Sequence, residues 1–380
     1  MQSLLEHPEV ARALVALRQA SEDIASHTVA IAEIPAPTFH EAERGAHVAG
    51  LMAAVGCRDV RTDGAGNVVG NLCGDERDGN VLVVCAHLDC AYLQGTPVAT
   101  KREGGLLRGP GVGDNSAGIA VMLAAARSLG SLSTSPRRAV RVVATVGEEG
   151  LGGLRGIKRV CDDLGGALGE VVSVDGGLGS IVTKAIAVKR YRITVRGPGG
   201  HSWADYGRPS ANHELARIGA ALGRMEPPAR PRTTLNIGIV SGGSSVNAIS
   251  AEAHMDIDLR SEEEGPLRAL EAEVLASLEG VDCGLDVATE VIDERPWGEC
   301  PEACDLVRDA ERALKAVDVF PREVAASTEA NVPLSRGVPG IAFGPGLIGD
   351  AHSMVEHVDV ESLGRGAAAL LALLALRSRA

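Results

Sequence analysis

The sequence predicts an α/β protein: a mostly parallel sheet with helices on both faces, interrupted by an inserted α+β domain. Three observations predict it. Apolar runs of strand length alternate with helical patterns from about residue 8 to 185. Between 186 and 293 the rhythm changes to β-α-β-β-α-β with half-polar strands. From 294 onward the first rhythm returns.

In the first stretch, HEAERGAHVAGLMAAVG has helical spacing, and NVLVVCAHLD is an apolar strand ending in His87 and Asp89. NSAGIAVMLAAARSLG reads as a helix, with Asn115 or Ser116 able to cap it. RAVRVVATVGEE and EVVSVDGG are further apolar strands that end in acids. Continuous apolar strands separated by helices indicate a sheet buried on both faces. In the insert, AIAVKRYRITVRG, TTLNIGIVSGG, AISAEAHMDIDLR and CGLDVATEVI are strands. PSANHELARIGAALGRM and EEGPLRALEAEVLASLEG are its helices. This is the split βαβ order of a ferredoxin-like layer. DERPWGECPEA then breaks the pattern with prolines. A helix (ACDLVRDAERALKAV), a strand (GIAFGPG) and a final alanine-leucine helix follow. The expected organisation is 1–185 with 294–380 as one domain and 186–293 inserted as another. No internal repeat is visible.

The bulk numbers agree. A chain of 380 residues suits two domains, and 45% apolar with 23% charged residues is a globular composition. The net charge of −13 argues against nucleic-acid or anionic-membrane partners, which need a basic face. MQSLLEHPEV has no basic segment before an apolar one, so no secretory signal is expected. GAAALLALLAL is too short to span a bilayer. Eight scattered cysteines suit a reduced, cytoplasmic protein. CPEAC, 300–304, is a weak redox or metal motif and reads as structural.

Ligands of an open parallel sheet bind outside the carboxyl ends of its strands. There the sequence delivers His87 and Asp89, then Asp114 in RGPGVGDNSAG, Glu148 and Glu149 in VGEEGLGG, and Asp175. FGPGLIGDAHSMVEH adds Asp350, His352 and Glu356. Apart from Arg108, no lysine or arginine lies among these tips. Clustered carboxylates cannot all stay ionised in a crevice without cations. Mixed histidine and carboxylate ligands suit zinc or a similar divalent ion, and this many ligands suits two ions ~3.5–4 Å apart sharing a carboxylate. Of the two adjacent glutamates, one can bind metal while the other handles the proton of the attacking water. HEAER, 40–44, lacks the second histidine of a helical zinc-protease motif and is set aside. His213, His254 and His357 have no converging partners in the sequence and read as surface or packing residues.

AHLD, GPGVGDNSAG, VGEEGLGG, VSVDGG, GPGGHS and DAHSMVE stand in an order and spacing that resembles dinuclear zinc metallopeptidases. That family includes peptidase T, glutamate carboxypeptidase and aminoacylase, with acetylornithine deacetylase and succinyl-diaminopimelate desuccinylase. The similarity covers nearly the whole chain. It implies that His87 and Asp175 hold one zinc, Glu149 and His352 the other, and that Asp114 bridges them, with cobalt or manganese as alternative metals. Asp89 would fix the His87 ring, and Glu148 would be the general base. The insert would be a lid and homodimerisation domain. His201 would stabilise the oxyanion in the partner subunit's site, and Asn247 and Arg260 would bind substrate. Two positions qualify the resemblance. STEAN, 327–331, has Glu329 where the family usually has aspartate, which alters the substrate contacts this segment implies. Asp175 stands where aspartate goes with amino- and dipeptidases and glutamate with carboxypeptidases and deacylases.

The reading that follows is a cytoplasmic, dimeric metallopeptidase of aminopeptidase or dipeptidase type acting on short peptides. Its nearest rival is an amidohydrolase of N-acyl amino acids with the same metals. A non-catalytic scaffold would lack a ligand or Glu148, and none is missing. The ligand set alone would also suit a phosphoesterase, but the motifs of the insert argue against it.

Overall fold

A computed structural model of the chain describes residues 4–74, 80–133, 138–279 and 284–379. Cys283, where the sequence reading begins the last insert strand, lies outside them. The chain divides into two compact units, 1–185 with 298–380, and 186–297.

The first unit is built on a nine-stranded sheet. Its centre is four parallel neighbours: Val140–Thr145, Val81–His87, Leu168–Ser173 and Gly340–Phe343. Strands Val68–Cys73 and Arg58–Thr62 extend one side, and Ser180–Ala185 with Gly298–Glu299 the other, all antiparallel. Arg322–Ala326 runs parallel to Ser180–Ala185. The sheet is therefore mixed, where the sequence predicts a mostly parallel one. Crossovers through helices keep Val81–His87, Val140–Thr145 and Leu168–Ser173 parallel, while a short turn folds Val68–Cys73 back on Arg58–Thr62.

Period-two alternation explains the burial on both faces. Every residue of Val81–His87 is buried. Leu82, Val84 and Ala86 enter the core that includes helices Gly118–Ser131 and Val360–Arg377. Val81, Val83 and Cys85 enter the opposite core, under helix Arg155–Leu164. Helix Val360–Arg377 is buried almost all round, and Asp359 caps it by accepting the Ser362 N–H at 2.8 Å. Among the described residues no helix is long and apolar enough to cross a membrane.

Register puts the chemistry at one edge. His87 lies opposite Thr145, Cys85 opposite Ser173, and Ala342 opposite Ser173, so the four central strands end level. A small antiparallel sheet orders Ile348–Gly349, His357–Asp359, Leu106–Arg108 and Lys101–Glu103. It joins the 350–356 turn to the glycine-rich loop that follows Arg108.

The second unit is a four-stranded antiparallel sheet in the order Asp286–Arg295, Ala187–Arg196, Glu252–Ser261, Thr233–Gly242. Helices Ala211–Leu222 and Glu264–Glu279 complete the β-α-β-β-α-β order. Its own apolar core includes Ile193, Val195, Leu215, Ile218, Met255 and Ile257. The alternate strand positions are polar and paired: Arg190 to Asp258 and Asp293, and Arg192 to Asp256. The unit ends at Trp297 rather than 293, because the last strand keeps pairing with Ala187–Arg196 up to Arg295.

Candidate metal centre

His87 is the last residue of its strand and almost fully buried. Its Nδ1 lies 2.9 Å from the main-chain oxygen of Asp89. A carbonyl oxygen only accepts, so Nδ1 carries the hydrogen and a neutral ring turns a lone pair outward at Nε2. That Nε2 lies 3.0 Å from Asp114 Oδ1, yet Oδ1 forms no hydrogen bond. The other carboxylate oxygen, Oδ2, is 3.1 Å from His352 Nε2, which is also 3.0 Å from Glu149 Oε1. Asp114 thus stands between two imidazoles. His87, Asp114 and Glu149 bring ligand atoms within 4.8 Å of one another. With neutral rings, lone pairs facing each other at these distances would need a cation between them, and the donor set fits a divalent metal.

The titration of these groups has the same cause. His352 is pushed up to about 11 by its bonds to Asp114 and Glu149. His87 is raised well above its ordinary value by Asp114, against the opposing effect of its burial. Asp175 is pushed up to about 7, by burial first and then by the Asp114 charge. Burial would raise Asp114, but its bonds to His352 and His87 hold it well below its ordinary value, so the imidazoles carry the positive charge that faces it. The guanidiniums nearest in sequence do not supply it. Arg108 pairs with Glu103 at 2.7 Å, and Arg155 with Glu41 at 2.5 Å.

Not every acid at the rim joins the cluster. Asp89, fully buried, accepts the N–H of Glu148 at 3.0 Å on Oδ1 and that of Glu149 at 2.9 Å on Oδ2. It reaches the His87 ring through its main-chain carbonyl. The carboxylate lies 3.9 Å from Nδ1 and orients the glutamate pair instead. Glu356 is 2% exposed and clamps the glycine-rich loop, accepting the N–H groups of Gly113 at 2.7 Å, Asp114 at 2.8 Å and Gly111 at 3.2 Å. Glu329 is buried beneath the strand ends and accepts the Ser173 hydroxyl at 3.0 Å; burial raises its carboxyl. Asp350 faces His357 at 3.4 Å, and His357 lies 3.5 Å from an Arg108 nitrogen, so that histidine does have partners.

Several supporting residues carry no sequence signal of their own. Thr38 donates to Asp89 Oδ2 at 3.0 Å. Asn115 donates to Val174 O at 2.9 Å and ties the Asp114 loop to a neighbouring strand end. The HEAER segment braces the site. Glu41 accepts the Gly147 N–H at 3.2 Å, just ahead of Glu148. The fully buried Arg44 donates to Ile34 O at 2.7 Å and Leu88 O at 2.8 Å.

The remaining candidates belong to the second unit. The pair Gly200–His201 bonds to Ala248–Ile249, and the Ser202 N–H reaches Asn247 O at 2.9 Å, so His201 and Asn247 are neighbours. His201 is exposed, its Nδ1 accepting the Trp203 N–H at 3.2 Å. Trp203 and Tyr206 are exposed as well, rather than packed. Arg260 holds Asp258 at 2.7 Å near the far end of strand Glu252–Ser261. At ~3.3 Å per residue, that is roughly 25 Å from the Asn247 end.

Imidazoles and carboxylates gathered at one edge of an α/β sheet, with donor atoms within 4.8 Å of one another, fit a metal-dependent hydrolase. Residues 83–376 match Peptidase family M20/M25/M40, and the chain belongs to that family. It is 24% identical to an uncharacterised protein, YqjE, of Bacillus subtilis, over 83% of this chain and 86% of that one. It is 27% identical to an acetylornithine deacetylase of Myxococcus xanthus, over 76% and 78%. In structure it resembles the aminopeptidase PepT of Bacillus cereus, with a TM-score of 0.74 at 22% identity over 94% and 99% of the chains.

Proposed function

We propose that this protein is a metal-dependent exopeptidase of the aminopeptidase or dipeptidase type that hydrolyses short peptides. The observation that carries this reading is the single carboxylate of Asp114, with one oxygen toward His87 and the other toward His352. In this reading His87 and Asp175 hold one ion, Glu149 and His352 the other, and Asp114 both; the ions are zinc, or cobalt or manganese. When bound, they polarise the scissile carbonyl and make water a nucleophile near neutral pH.

The chain's own residues do the rest. Glu148 takes the proton of the attacking water and hands it to the leaving amine, a role supported by its low exposure and by Asp89 holding its N–H. His201 donates to the developing oxyanion. Asn247 and Arg260 bind the substrate. Since Arg260 stands at the Ser261 end of strand Glu252–Ser261 and the His201–Asn247 pair lies beside the segment that leads into its Glu252 end, they serve different sites, which suits a homodimer. The edge strand Thr233–Gly242, with Ile239 and Val240 exposed, offers an unpaired edge to a second copy. A cytoplasmic setting belongs to the same reading and accords with seven free thiols among the described residues.

The sequence similarity to a deacetylase favours a second reading, an amidohydrolase of N-acyl amino acids at the same centre; Asp175 in place of glutamate tilts the choice toward peptides. The test is elemental analysis of the purified protein, followed by assays of di- and tripeptides against N-acetyl and N-carbamoyl amino acids. Bound divalent metal, with peptide turnover abolished by a chelator and restored by zinc, is the expected result. Exclusive turnover of N-acyl substrates would transfer the assignment to the amidohydrolase.

A further inference from the structure

The loops that carry the metal centre also carry exposed apolar side chains. Phe39 follows Thr38, Leu93 comes four residues after Asp89, Leu151 two after Glu149, and Met354 two after His352. A single exposed apolar residue is ordinary, but a group of them beside a site marks a binding surface. Two of the four are tied to one place. Thr38 donates to Asp89 Oδ2 at 3.0 Å and reaches Glu149 O at 3.4 Å, which sets Phe39 beside the turn that begins at Glu149. In that turn the Gly152 N–H donates to Glu149 O at 2.9 Å and the Arg155 N–H to Gly152 O at 3.2 Å, with Leu151 between them. Arg155 then lays its guanidinium 4.8 Å from the centre of the Phe39 ring.

The backbone of Phe39 singles out its side chain. It is the third residue of the turn Pro37–His40, closed by the His40 N–H on Pro37 O at 2.8 Å, and its φ is 75°. Glycine fits such a position without strain, and a bulky aromatic residue does not. The ring nevertheless stays 60% exposed, so the contact with Arg155 covers only part of it. The polar groups beside the ring are already engaged. Arg155 pairs with Glu41 through Nη2, and its Nη1 occupies the space where a side chain at Gly147 would start. The Thr38 hydroxyl is held by Asp89. A charged side chain laid across the ring gives up water, whereas an apolar one gains by leaving it.

We propose that Phe39 and Leu151 form an apolar ledge beside the metal centre. It selects substrates with a bulky apolar side chain on a residue next to the scissile bond. The assignment rests on the exopeptidase reading above and adds the substrate class to it. That side chain lies on the exposed part of the ring and against Leu151. The scissile bond is presented to Glu148, whose preceding residue, Gly147, packs against Arg155. No bond is made or broken at the ledge.

The test measures kcat/KM of the metal-loaded full-length protein on leucylglycine, glycylleucine and glycylglycine, with N-acetyl-leucine and N-acetylglycine as a second series. The better leucine-bearing dipeptide should exceed glycylglycine by about tenfold. Phe39→Gly, which removes the ring and relaxes the positive φ, should bring that ratio close to one, and Phe39→Tyr should keep it. Leu151→Ser should lower the ratio too, and it decides the matter if Phe39→Gly misfolds. A ratio near one in the unaltered protein, or one that these substitutions leave untouched, would overturn the proposal. So would an equal loss on every substrate in Phe39→Gly, which would make the ring a brace for Arg155. If only the N-acyl series is hydrolysed, the exopeptidase reading falls, and the ratio of N-acetyl-leucine to N-acetylglycine decides the ledge in the same way. Hydrolysis of neither series overturns both.

Discussion

The side chain of Asp89 accepts the backbone N–H of Glu148 at 3.0 Å. Its second oxygen takes the neighbouring N–H of Glu149 at 2.9 Å, so one buried acid aims both members of the glutamate pair. Asp89→Asn keeps one acceptor and turns an NH₂ group toward an N–H. We expect metal stoichiometry to be retained, kcat to fall by ~10–100-fold, and stability to drop by ~1–3 kcal/mol. Metal analysis, steady-state kinetics and denaturant melts of the variant check each part. Normal kcat would mean that the orientation of the pair does not depend on this carboxylate.

Glu148→Gln removes the proton acceptor and preserves shape. Turnover should fall by ~10²–10⁴-fold with metal content and KM little changed. Near-normal turnover would take Glu148 out of the base role.

Glu356 distinguishes a clamp from a ligand. Its carboxylate accepts three N–H groups of the loop that carries Asp114. Glu356→Gln should weaken metal affinity by about tenfold while the number of ions bound at saturation stays the same. Calorimetric titration of the metal-free variant reads both, and a lost ion would make Glu356 a ligand after all.

Acid should act on the second unit through its arginine-aspartate face. Burial alone would raise Asp258, but its bonds to Arg260 and Arg190 outweigh it and hold the carboxyl below its ordinary value. Asp256 is lowered by its bond to Arg192. A folded-state value below the unfolded one, ~3.9, contributes stability that is present above that pH and is lost as pH falls through the folded value. The melting temperature of the second unit should therefore hold between pH 7 and 5 and fall below ~4. Arg190→Met leaves Asp258 and Asp293 without this partner. It should cost on the order of 3 kcal/mol at pH 7 and make the acid loss smaller, since Asp258 then keeps only its bond to Arg260. Calorimetric scans across this range decide the sign.

Much of the site was legible in the chain. Apolar runs that bury both faces must end where the sheet opens, so His87, Glu149 and Asp175 could be assigned to one edge from pattern alone. The glycine-rich loop before a helix did the same for Asp114. Glu356 and Asp89 were legible as acids at that edge but not in their roles, because both oxygens of each are taken by backbone N–H groups. The HEAER segment looked like a failed metal motif, yet Glu41 and Arg44 brace the turns on which the ligands stand. Their partners, Gly147 and Leu88, lie far along the chain, and no local spacing encodes such a contact.

The sequence by itself determined the two-part α/β architecture, the parallel centre of the sheet and the convergence of histidines with acids. These follow from side-chain periodicity and from the cost of burying like charges. Only the tertiary structure decided which acids face the imidazoles and which turn back to hold loops. It also decided that His201 lies beside the segment leading into strand Glu252–Ser261 while Arg260 stands near that strand's other end. At a loop tip, the direction of a carboxylate is set by backbone donors arriving from remote segments, and those donors meet only when the strands align.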